Sequence, residues 1–155
     1  IKNYKQQKKG QYMSQWTHIA GVIRIDALGG SNERDLQQEK ALKGLFRTWS
    51  FGDRDSKRAK CNVPSGSEGS LQVKIVPGEE HSLAAYAILL WGDLRDFGDA
   101  EDIRNLKKWW KHLIDKFERP ELAPPEIKNC YLMGIRQACL KIEVEGTAKP
   151  IILGK

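Results

Sequence analysis

The chain has 155 residues, 40% hydrophobic and 30% charged, with a formal net charge of +6. That is the size and balance of one globular domain. No apolar run approaches the roughly 18 residues needed to cross a bilayer, and no apolar stretch follows the basic N-terminus as a signal peptide requires. Membrane and secreted classes are therefore not expected, and a cytoplasmic location is. Cys61, Cys130 and Cys139 are odd in number and widely spaced, with no Cys-x-x-Cys, so reduced thiols are expected rather than a disulfide framework or a zinc site. Cys139 alternates with Lys141 and Glu143 and reads as a strand residue.

The charge is unevenly placed. Residues 1–12 contain Lys2, Lys5, Lys8 and Lys9 and no acid, and without those four the rest holds 22 basic against 20 acidic residues. Overall basicity is then a weak pointer to nucleic acid. Met13-Ser14-Gln15-Trp16 resembles a natural start. Residues 1–12 are expected to be a disordered basic tail or a remnant of upstream or artificial sequence, and 13–155 a single α+β domain.

Gln15 to Asp26 alternates as a strand, with Ile19, Ile23 and Ile25 on one face and Trp16, His18, Ala20, Val22 and Arg24 on the other. After Gly29-Gly30, Ser31 or Asn32 can cap a helix running to about Trp49 with a stripe of Leu42, Leu45, Phe46 and Trp49. Residues 50–69 are polar and aperiodic, a length that inside a compact domain marks a functional or mobile connection. The Gly/Ser-rich segment Pro64 to Ser70 precedes a strand rather than a helix and carries Glu68, so it reads as a flexible strand entry rather than a phosphate loop.

Leu71, Val73 and Ile75 define a second strand, and Pro77-Gly78-Glu79-Glu80 a turn. Ser82 to Trp91 is a third strand, apolar on both faces and so expected to be buried on both sides. Asp99 caps the clearest helix, on which Ile103, Leu106, Trp110, Leu113, Ile114 and Phe117 share an arc and which Pro120 ends. Cys130 to Val144 is a long strand region interrupted at Gly134. Glu145-Gly146-Thr147 turns the chain into a short strand over 150–153.

The order β-α-β-β-α-β, with right-handed crossovers, predicts a ferredoxin-like sandwich: an antiparallel sheet with two helices on one face and a C-terminal extra strand or hairpin. That architecture hosts many functions and names none. The sheet's second face is expected to present Trp16, Val22, Tyr86, Ile88 and Leu90, too apolar to stay exposed. A homodimer through that face, or residues 130–153 folded across it, would cover it.

Two further sites are expected. Arg104, Lys107, Lys108 and Lys111 form a basic stripe beside the apolar arc of the second helix, with Trp109 on the arc's other flank. Together with Lys57, Arg58 and Lys60 the stripe could contact nucleic acid or an acidic protein. Asp26, Glu79, Glu80 and His81 fall at one end of the sheet, where paired carboxylates could hold a divalent metal. The acids Asp93, Asp96, Asp99, Glu101 and Asp102 lack calcium-loop spacing and read as helix-start acids. His18, His81 and His112 form no recognisable triad, and no cofactor motif occurs.

The expected function is a non-enzymatic binding or accessory module for a protein or nucleic acid, in a regulatory or phage-type inhibitor role. The alternatives are a small metal-dependent enzyme or nucleotide sensor at the acidic turn, and a structural subunit of a larger assembly.

Overall fold

The structure is a computed structural model that describes residues 14–28, 32–48, 62–78, 83–119 and 132–155. The elements are β1 (Trp16–Leu28), α1 (Asn32–Gly44), β2 (Arg47–Thr48), β3 (Asn62–Val63), β4 (Gln72–Pro77), β5 (Leu83–Arg95), α2 (Ala100–Glu118), β6 (Leu132–Val144) and β7 (Ile151–Gly154). The fold is α+β, with a five-stranded antiparallel sheet in the order β4-β5-β1-β6-β7 and two helices. A short parallel pair, β2–β3, stands apart from it. No helix among the described residues is long and apolar enough to span a membrane.

β1 is the centre of the sheet because it pairs along almost its whole length with both β5 and β6. Its odd positions Thr17, Ile19, Ile23, Ile25 and Ala27 are buried. Ile23 opposes Ile88 and Ala138, and Ile19 opposes Ile142, so one face collects β-branched and long aliphatic side chains from all three strands. Ala41, Leu42, Leu45, Leu106, Trp109, Trp110, Leu113, Ile114 and Phe117 of the helical segments join the same cluster. Each fully buried Leu or Ile there contributes about 1.5–3 kcal/mol of transfer free energy.

α2 follows its expected cap closely. Asp99 accepts hydrogen bonds from the backbone N–H of Glu101 and Asp102, at 2.9 and 2.7 Å, satisfying two of the donors that open a helix. Its buried stripe is wider than the expected arc. Trp109, expected at the flank of the arc, is buried in the core beside Trp110.

α1 stops at Gly44 rather than running to Trp49. Glycine is about 1 kcal/mol worse than alanine in a helix. The chain beyond it tightens into turn hydrogen bonds, Leu45 N–H to Leu42 O and Phe46 N–H to Lys43 O, before entering β2. Trp49 lies outside the described residues. The buried face of α1 is Gln38, Ala41 and Leu42, continued by Leu45 in the turn after it; its one polar member, Gln38, donates its amide to the Leu28 carbonyl at 3.1 Å.

The Pro64–Ser70 segment is not a flexible entry. It is a tight turn bonded to the end of β5: Gly66 N–H donates to Gly69 O, Ser67 N–H to Arg95 O, and Arg95 N–H to Glu68 O. Gly69 has φ +76°, and a side chain there would collide with the Asp93 carbonyl, so glycine is required by both conformation and space. In β6, Gly134 at φ +133° accompanies shifts of register against β1, the expected interruption. Val144 O accepts from Thr147 N–H to close the turn into β7, with Gly146 at φ +81°.

Candidate functional site

The sheet face away from the helices is open. Along β1 it carries Trp16, His18, Ala20, Val22, Arg24 and Asp26, and the registers fix its neighbours: Asp93 beside His18, Trp91 beside Ala20, Leu89 beside Val22 and Ala87 beside Arg24 on β5. On β6 the neighbours are Glu143, Lys141, Cys139 and Gln137. Gln72 and Lys74 of β4 and Ile152 of β7 extend the rows to the edges.

Exposed large apolar side chains concentrate here. Trp91 is 45% exposed, Leu89 37%, Ile152 57% and Leu28 38%, and all four have the parity of this face. An apolar band rimmed by polar groups is the usual signature of an interaction surface.

The expected second face is corrected by the register. Trp16 and Val22 do lie on the open face, half-buried. Tyr86, Ile88 and Leu90 have the opposite parity and are buried in the core, because Ile88 opposes Ile23 and Tyr86 opposes Ile25. The five residues do not share a surface. Nor is β5 buried on both sides within this chain, since Leu89 and Trp91 reach solvent. β6 and β7 do not fold across the face but continue the sheet sideways.

The ends of the open face differ in charge. At the end near the start of β1, His18 Nδ1 lies 2.6 Å from Asp93 Oδ1, and its Nε2 lies 3.9 Å from Glu145 Oε1. Glu145 Oε2 also accepts from the Trp16 backbone N–H at 3.2 Å, and Lys141 pairs with Glu143 at 2.8 Å. Toward the other end stand Arg24 and the Asp26–Arg136 pair, at 3.0 Å. His18 with two carboxylates resembles an acid–base pair, yet both of these imidazole contacts run to carboxylates, and neither supplies the hydroxyl or thiol nucleophile of a triad.

The remaining expected residues separate. Arg104, Lys107, Lys108 and Lys111 are all exposed on α2, a real cationic stripe. Lys57, Arg58 and Lys60 lie outside the described residues, as do Glu79, Glu80 and His81. Asp26 engages Arg136 through its Nε as well, at 3.1 Å, so a metal at Asp26 would displace a guanidinium. Among the described residues no group of three or more His, Cys, Asp or Glu is arranged to hold a metal ion.

The acidic run has structural work. Asp93 bonds His18, Asp96 accepts from Ser67 Oγ at 2.6 Å, Asp99 caps α2, and buried Asp102 accepts from Gly98 N–H at 3.1 Å.

A cleft of about 480 Å³ lies between α1 and β4, lined by Glu39, Lys43, Phe46, Val63, Leu71, Val73 and Ile75 among others. Lys43 and Glu39 in its lining are joined at 2.6 Å, and Lys74 adds a second cation.

No protein-family model matches the chain, and no curated protein is similar to it in sequence.

Proposed function

We propose that this protein is a non-catalytic, cytoplasmic binding module whose docking surface is the open face of its sheet. One observation carries the reading: four large apolar side chains, Leu28, Leu89, Trp91 and Ile152, are exposed on one side of a sheet whose other side is packed. A chain that spends tryptophan and leucine on a solvent face without needing them for its own core has a partner for that face. The module reads as a ferredoxin-like βαββαβ unit, made of β1, α1, β4, β5, α2 and β6, with β2–β3 inserted and β7 added at the edge.

The test compares material bound to the purified wild-type protein with that bound to the double variant Leu89→Asp with Trp91→Asp, by mass spectrometry, nucleic-acid staining and the chain's own mass. The wild type is expected to carry a macromolecular partner, or itself, that the variant lacks. Equal binding by a folded variant would sink the reading.

A second surface is favoured by the exposure of all four cations on α2, which suits an acidic protein or a nucleic-acid backbone. Arg104→Glu with Lys108→Glu is expected to abolish capture of such a partner with the fold intact, measured by pull-down and circular dichroism. Unchanged capture would remove this stripe from the docking model.

A further inference from the structure

We infer that the cationic stripe of α2 seats the sugar–phosphate backbone of double-stranded DNA, without readout of base sequence. The inference rests on the reading of that stripe as a docking surface and names its partner.

Charge placement is the first argument. From Ile103 to Ile114 the helix carries no acid, and Arg104, Lys107, Lys108 and Lys111 stand exposed along it. None of the four has an ion-pair partner among the described residues. By contrast Lys43, Arg136 and Lys141 lie 2.6, 3.0 and 2.8 Å from a carboxylate. Three of the acids on α2 are engaged away from the stripe. Asp102 accepts from Gly98 N–H, Asp115 faces Arg119 at 4.0 Å, and Glu118 pairs with Lys155. Asp115 stands four residues beyond Lys111, at pairing distance along a helix, and meets Arg119 instead.

The four cations also repel one another. Arg104 and Lys107, and Lys108 and Lys111, are three residues apart; Arg104 and Lys108, and Lys107 and Lys111, are four apart. Like charges at those spacings destabilise a helix, whereas alternating signs stabilise it. A face built only to meet water gains nothing from this pattern. A polyanion offsets all four repulsions at once.

The surroundings of the stripe narrow the polyanion. A protein partner needs an apolar or aromatic centre to its interface, and a single strand needs aromatic platforms for its bases. α2 offers neither: Trp109 and Trp110 are buried, and no large hydrophobic residue is exposed on this helix. A duplex backbone needs only cations in a row. From Arg104 to Lys111 the stripe spans about 10.5 Å, a length of duplex axis over which each strand carries about three phosphates. The 2′-hydroxyl that marks RNA both donates and accepts. Four side chains that only donate leave its proton unmet, so DNA is the duplex that fits.

The experiment is fluorescence anisotropy of a short labelled DNA duplex titrated with the full chain at a series of salt concentrations. The logarithm of the binding constant is expected to fall linearly with the logarithm of salt, at a slope of about −3 for three or four phosphates. A duplex of unrelated sequence should bind within about twofold, because backbone contacts carry no sequence information. Lys107→Gln and Lys111→Gln are each expected to weaken binding about tenfold and to make the slope shallower by about 0.9. Each also removes two of the repulsions, so its thermal midpoint is expected to hold or rise. Arg104→Glu with Lys108→Glu is expected to abolish duplex binding; should it fail to fold, the two glutamine variants still decide.

A wild type that leaves the duplex unbound at low salt overturns the inference. So does duplex binding that survives these substitutions unchanged, which assigns it to other cations such as Lys2, Lys5, Lys8 and Lys9. Duplex RNA, single-stranded DNA and polyglutamate are titrated in parallel. Tighter binding of one of these, lost on the charge reversal, keeps the stripe as a docking surface and replaces DNA as its occupant. A wild type that binds none of the four polyanions overturns the docking reading together with the inference.

Discussion

The two faces of this sheet are built from the same strands and treat the same residue types oppositely. On one face Ile23, Ile25, Ile88, Leu140 and Ile142 are fully buried. On the other, one residue away along each strand, Val22, Leu89, Trp91 and Ile152 are half-buried or exposed. β5 shows this most sharply: Tyr86, Ile88 and Leu90 complete the core while Leu89 and Trp91 reach solvent. The comparison separates two uses of hydrophobicity. The first holds the chain together. The second lies where the helices do not cover it, and on the proposed reading its use is association.

The contrast breaks if large substitutions on the two faces cost the same. Ile88→Ala is expected to lose about 2–5 kcal/mol, as buried aliphatic truncations that leave a cavity do, read as a lower midpoint in urea denaturation at unchanged slope. A loss below about 1 kcal/mol would show that this face is not the packed one.

Close approach of strands sharpens it further. A Cβ on Gly21 would stand 2.6 Å from Leu140 Cδ1 and 2.7 Å from the Cys139 carbonyl oxygen. The leucine could yield; the backbone oxygen could not without shifting β6. Gly21→Ala is expected to cost about 1–3 kcal/mol through overpacking, measured the same way. A neutral result would mean that β1 and β6 are farther apart at this row.

Element types were legible in the sequence because period and capping are local. Asp99, the α2 stripe, the Gly134 interruption and the turn into β7 all follow from residues within a few positions of one another. The pairing of faces was not local. Both parities of β5 are apolar from Ala85 to Trp91, so neither could be matched to Ile19, Ile23 and Ile25 without knowing the register. The missing signal was further along the strand: β5 runs to Arg95, and Asp93 and Arg95 mark the parity of Leu89 and Trp91 as the solvent one. The Pro64–Ser70 turn was illegible for another reason: the backbone bonds that hold it, and the side-chain bonds of Ser67 to Asp96 and of Glu68 to Arg95, reach residues far along the chain that no local pattern records. The short end of α1 was legible in Gly44, whose weight as a helix stop exceeded the pull of Phe46 and Trp49.

The two ends of α2 offer a smaller test of how local signals stabilise the covered side. Asp99 satisfies two backbone donors and places a carboxylate at the positive end of the helix dipole. Asp99→Ala is expected to cost about 1 kcal/mol, while Asp99→Asn, which keeps the acceptor, should recover most of it. Equal losses for the two variants would assign the effect to charge rather than to the hydrogen bonds.

The smallest expected effect is the one the comparison depends on most. Ile152 faces the open side on the edge strand and is 57% exposed, so Ile152→Thr keeps the β-branched shape that suits a strand and removes little buried area. At protein concentrations low enough to keep single chains apart, its stability is expected to stay within about 0.5 kcal/mol of the wild type. Where a second copy covers that face, the two diverge at high concentration, because a copy that binds only the folded chain adds stability by mass action, and the threonine weakens that binding. Urea midpoints measured at both concentrations separate the two uses of an apolar side chain at one residue. A deficit already complete at low concentration would make Ile152 part of the core's own support; a deficit that grows with concentration makes it part of an interface.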